Sequence, residues 1–61
     1  MSLIFEQKSQ FAEGLQEIKL YKEKDIYRIF VRNECGHQSD IYLNKEDFLL
    51  FAQNIERQIR K

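Results

Sequence analysis

The chain has 61 residues, 43% of them hydrophobic and 33% charged, and ten basic residues balance ten acidic ones. One globular domain is expected, and a formal net charge of zero argues against the strong unspecific attraction to phosphate that a basic chain carries. No apolar run approaches the ~20 residues of a membrane span, and Met1 to Phe5 lacks the basic flank and long apolar core of a secretory leader, so a cytoplasmic protein is expected.

A chain this short buries only about 60% of its unfolded surface, which leaves a thin margin of stability. Cys35 is the only cysteine, so no intrachain disulfide can make up the deficit, and a free thiol suits a reducing compartment. Association with a second subunit is the expected supplement.

Residues 1–14 open the chain ambiguously. Leu3-Ile4-Phe5 followed by polar residues 6–10 reads as a strand running into a loop. Ile4, Phe11 and Leu15 would equally fit an irregular helix broken near Gly14. The strand is preferred, because Gly14 is a turn signal and Leu3-Ile4-Phe5 is strand-like in composition. Residues 15–22 alternate, with Ile18 and Leu20 on one parity and Glu17, Lys19 and Tyr21 on the other, as in a half-buried strand. Lys22-Glu23-Lys24-Asp25 is a polar interruption suited to a hairpin turn.

Residues 25–33 are the densest in β-branched and aromatic side chains. Tyr27, Ile29 and Val31 occupy one parity, and Ile26, Arg28, Phe30 and Arg32 the other, as expected of a central strand with two useful faces. Residues 34–38 form a loop in which Gly36 can supply a positive φ. Residues 39–43 form the next strand, antiparallel to its predecessor because the connection is short.

Asn44 then suits the N-cap of a helix over 45–60, with Asp47 three residues on. Phe48, Phe51, Ala52, Ile55 and Ile59 form one apolar stripe at helical spacing. Acids at the start and Arg57, Arg60 and Lys61 at the end complement the helix dipole, and Glu56 and Arg60 are spaced for an i,i+4 ion pair. The expected fold is α+β: a four-stranded antiparallel sheet with one C-terminal helix on one face, in the order β-β-β-β-α.

If the helix stripe covers the more apolar parity (Ile18, Leu20, Tyr27, Ile29, Val31, Ile41 and Leu43), the opposite face carries Lys19, Tyr21, Arg28, Phe30, Arg32 and Tyr42, with Glu17 and Asp40 among them. Most other acids fall in a turn or on the helix. Rings interleaved with cations suit single-stranded nucleic acid: rings stack on exposed bases, at ~1–3 kcal/mol per base, and cations follow the phosphates. Two plainer readings compete. Such residues also stabilise cross-strand pairs on a solvated face, and a second subunit could cover that face.

Ile41-Tyr42-Leu43-Asn44-Lys45-Glu46-Asp47-Phe48 resembles the last strand, Leu-Asn junction and helix start of the ββββα family of single-stranded DNA-binding transcriptional regulators. That family includes the transcriptional positive cofactor four coactivators and the purine-rich-element-binding proteins. Residues 25–32 resemble its central strand, and the similarity spans roughly residues 15–60. The resemblance implies a curved sheet backed by one helix, a homodimer, and single-stranded DNA or RNA held by Lys19, Tyr21, Arg28, Phe30 and Arg32. The chain departs from the family at residues 34–39, where a basic glycine-containing segment is replaced by one with no Lys or Arg.

Other chemistries are poorly supplied. Cys35 and His37 are two potential metal ligands where a usual zinc site needs three or four. As a nucleophile and base they lack a third orienting group. Leu49 and Leu50 fall outside the helix stripe and are expected to flank a homodimer interface. The reading is a non-catalytic, cofactor-free module serving transcription or replication, with a small protein-interaction module or inhibitor as the alternative. Were residues 2–13 helical, the order would become α-β-β-β-α, that of double-stranded RNA-binding domains. The last helix lacks the Lys-rich start such a domain uses.

Overall fold

The structure is a computed structural model that describes residues 1–11 and 14–61, with only the backbone of Phe11. Four strands, β1 (Ser2–Phe11), β2 (Gly14–Glu23), β3 (Ile26–Asn33) and β4 (Gln38–Asn44), precede one helix, α1 (Lys45–Ile59). The strands form a single antiparallel meander in the order β1-β2-β3-β4. The fold is therefore the expected α+β arrangement.

The first segment is a strand, not a helix, and it is longer than its apolar start implies. Residues 6–10 were expected to leave the sheet, yet they stay in it, because β2 offers a partner for each of them from Lys19 to Leu15. Pairing with a neighbour outweighs a polar composition that alone marks no strand. Ala12 and Glu13, the end of the segment that might have been helical, lie outside the described residues.

The connections are made by a few residues in special conformations. The β2–β3 hairpin turns at Lys24 and Asp25, with Lys24 at φ 54°. Between β3 and β4, Gly36 takes φ 89°, the left-handed conformation that glycine adopts without a Cβ clash. Asn33 closes this loop three times: its N–H donates to the His37 carbonyl at 3.0 Å, its carbonyl accepts the Gly36 N–H at 3.1 Å and its side-chain oxygen accepts the His37 N–H at 3.0 Å. Glu34, in the same loop, reaches across the sheet to accept the Leu15 N–H at 3.0 Å.

Asn44 ends β4 and caps α1, its side-chain oxygen accepting the Asp47 N–H at 2.8 Å. That bond satisfies one of the four unpaired donors of the first turn. Because strand and helix share this residue, α1 leaves the sheet on the face that carries Tyr27. There the rings of Tyr27 and Phe48 stack, centroids 4.2 Å apart and planes within 9° of parallel. At the far end Arg60 pairs with Glu56 at 3.0 Å, the expected i,i+4 pair.

The helix covers much less of the sheet than its stripe implies. Among the described residues it contacts β3 and β4 only. Phe51 is 44% exposed, Ile55 43% and Ile59 77%, so the stripe beyond Phe48 projects past the sheet. Leu49 and Leu50 are exposed as well. On the sheet face that α1 enters, Phe5, Ile18, Val31 and Ile41 remain open. Among the described residues none is buried as a whole, and the molecule is a slab of 34 × 33 × 16 Å.

Candidate nucleic-acid interface

In an antiparallel sheet, residues directly opposite one another share a face. The register places the expected ring-and-cation residues on one side, in three rungs that cross all four strands. The first is Leu3, Tyr21, Arg28 and Tyr42; the second Glu6, Lys19, Phe30 and Asp40; the third Lys8, Glu17, Arg32 and Gln38. Ile18, Leu20, Tyr27, Ile29, Val31, Ile41 and Leu43 occupy the intervening positions and therefore the side that α1 enters. Lys19, Tyr21, Arg28, Phe30, Arg32 and Tyr42 thus stand together, with none beneath the helix.

Arg28 organises the centre. Its guanidinium carbon lies 5.3 Å from the Tyr21 ring centroid and 5.4 Å from that of Phe30, within the reach of cation–π attraction. Asp40 holds it diagonally across β3 and β4. The Arg28 Nε donates to Asp40 Oδ2 at 2.9 Å and Nη2 lies 2.7 Å from the same oxygen. The hydrogen bond to Asp40 raises the guanidinium pKa further above its already high value, with the charge of Asp40 adding to it and partial desolvation opposing it. Arg28 is therefore a fixed, permanent cation between two rings.

The other cations are held similarly. Arg32 stands 6.0 Å from the Phe30 centroid and pairs with Glu17, directly opposite on β2. Lys19 Nζ is 3.6 Å from Glu6 Oε2 on β1. Glu17 is the most enclosed member of these pairs, with a side chain only 9% exposed. Its Oε1 is shut off from solvent without an aligned hydrogen bond. Lys8, opposite Glu17 on its other side, makes no ion pair among the described residues.

Two features of this face escape sequence reasoning. The first is the contribution of β1: Glu6 and Lys8 join the rungs, but both parities of that segment are polar, so no alternation reveals which side each takes. The second is the pairing of cations with acids. Glu17 and Asp40 stand on this face as expected, and Asp25 lies in the turn and Glu46, Asp47 and Glu56 on the helix, but Glu23, expected in the turn, ends β2 on the ring-bearing parity opposite Ile26, and Glu6 joins the face through β1. Only the register brings Glu6, Glu17 and Asp40 against Lys19, Arg32 and Arg28.

Elsewhere the chemistry is sparse. Cys35 is exposed in its loop, and among the described residues no three His, Cys, Asp or Glu side chains gather where they could hold a metal ion. No helix among the described residues is long and apolar enough to cross a membrane. No protein-family model matches the chain, and neither the curated proteins nor the solved structures include a significant match to it.

Proposed function

We propose that the chain is a non-catalytic, cofactor-free module that binds single-stranded DNA or RNA on the open face of its sheet and works as a homodimer. The observation that carries this reading is the set of three rungs, in which Tyr21, Phe30 and Tyr42 alternate with Lys19, Arg28 and Arg32 on one surface. Bases laid across such a surface stack on the rings, and the cations between the rings lie where a phosphate backbone would follow them. The dimer is supported by the other side of the molecule. The apolar stripe of α1 and the residues Ile18, Val31 and Ile41 are too exposed for a lone subunit, and large exposed apolar surface marks an interaction site. A role in transcription or replication, in the cytoplasm, accords with such a ligand.

A second reading is favoured by the ion pairs. Three cations of the face already have acidic partners, and Tyr and Arg are also the residues that dominate protein hot spots. On that reading the same face docks a protein. Titration of labelled single- and double-stranded oligonucleotides at two salt concentrations separates the two. Single-strand binding that weakens as salt rises supports the proposal, and no binding at low salt leaves the protein partner. Phe30→Ala should cost about 1–3 kcal/mol of single-strand affinity, the worth of one stacked base. Arg28→Glu should also weaken binding. Unchanged affinity in both variants, with circular dichroism intact, would remove this face as the site.

A further inference from the structure

The acids on the open face have a role that the ring-and-cation pattern alone does not account for. The three rungs contain four cations, Lys8, Lys19, Arg28 and Arg32, and three acids, Glu6, Glu17 and Asp40. Each acid pairs with a different cation, and Lys8 is left over. We infer that Glu6, Glu17 and Asp40 are the specificity-determining residues of this face, holding its cations so that a ligand offering only phosphates is refused and one offering exposed bases is accepted.

The argument is one of exchange. A phosphate that takes Arg28, Arg32 or Lys19 must displace a carboxylate already in contact, so it replaces one ion pair by another and gains little. Glu17 is the hardest to displace, because its enclosed side chain is poorly screened by salt. The rings do not take part in this exchange. Tyr42 is 60% exposed and offers the most open ring, while Tyr21 and Phe30 line the same surface with Arg28 lying over both, so a base stacks on Tyr42 without displacing any ion pair. A double helix hides its base faces and presents phosphate, the one feature the face discounts. A single strand presents both.

This inference rests on the proposed function, and its test separates the two. The proteins are the wild type, Asp40→Asn, and the triple variant Glu6→Gln/Glu17→Gln/Asp40→Asn. The probes are oligothymidylate, a mixed-sequence duplex of equal length, and inorganic polyphosphate. With Lys8 the only cation of the three rungs without an ion pair among the described residues, the wild type should show a log–log salt slope of about −0.7 per chain on the single strand, steepening to about −3 in the triple variant as four cations become available. Duplex and polyphosphate affinity should rise about tenfold or more in the triple variant, outpacing the gain for oligothymidylate. Should the triple variant fail to fold by circular dichroism, Asp40→Asn, altered at a half-exposed side chain, should still move the slope to about −1.4. Equal slopes and equal changes for all three probes, with the wild type still binding oligothymidylate, would overturn the inference and leave the proposed function standing. No binding of oligothymidylate by any of the three proteins would remove both.

Discussion

Gly14 illustrates how a single position ties the molecule together. It takes φ 114°, a conformation that L side chains resist. The carboxylate of Glu34 also stands where its Cβ would be. That carboxylate is the acceptor for the Leu15 N–H, so the glycine makes room for the bond that joins the β1–β2 end to the β3–β4 loop. Gly14→Ala should destabilise the fold by more than about 1 kcal/mol, since alanine is penalised wherever φ is positive. Combining it with Glu34→Ala should remove the steric share and leave the conformational share. Urea melts of the single and double variants check this, and additive losses would deny the contact. The sequence marks Gly14 as a turn signal, but nothing in it points to Glu34, twenty positions away, because that contact exists only once β2 and β3 are in register.

At the scale of elements, the junction at Asn44 is the most legible part of the chain. Alternating Ile41 and Leu43, a capping side chain and an acid at the third helical position all agree, and local signals suffice because cap and partner are three residues apart. Asn44→Ala should cost about 1 kcal/mol. Its loss should appear as faster amide exchange at Asp47, whose N–H would lack an acceptor. Unchanged protection there would mean that another group caps α1. The first strand lies at the other extreme. Its polar half carries no periodic signal, and it is a strand only because β2 pairs with it, a non-local cause that residue order does not display. The two faces can be told apart in the sequence for β2, β3 and β4, whose parities differ in apolar content. They cannot be told apart for β1, whose parities do not differ.

The whole molecule has a stability problem that no single element reveals. A helical stripe at the right spacing fits burial against the chain's own sheet or against another chain equally well, and periodicity cannot choose between them. Here Phe48 stacks on Tyr27 of its own sheet while the rest of the stripe stays open, and among the described residues no hydrophobic residue is buried. A slab 16 Å thick has too little interior to offset the ~1–2 kcal/mol per residue of backbone entropy lost on folding. Stability should therefore depend on protein concentration, as it does wherever a folded subunit needs its partner. Thermal melts over a hundredfold dilution should shift downward, by several degrees at this chain length. Ile55→Lys, on the exposed stripe, should convert the sedimentation profile to monomer or unfold the chain while leaving a surface variant such as Lys61→Ala unaffected. A melting temperature independent of dilution, together with a monomeric mass, would show that the slab stands alone.

The extra residue at the start of β1 bears on what happens when many chains meet. The pairing of β1 with β2 shifts between Leu3 and Phe5, so Ile4 is accommodated as a bulge that bends the strand. It also reverses parity, sending Leu3 to the ring-bearing side and Phe5 to the helical one. β1 is a border of the sheet, ten residues long, with unpaired backbone groups along its outer margin. Left straight, such a margin is a template for chain-upon-chain ribbon growth, and a bend spoils its fit to a neighbour. Shortening the chain by Ile4 alone would make Leu3 and Phe5 consecutive partners of Tyr21 and Leu20, leave each on the side it now takes and straighten that border. Thioflavin fluorescence on concentrated samples of the shortened chain would reveal whether one kinked residue keeps this protein from polymerising.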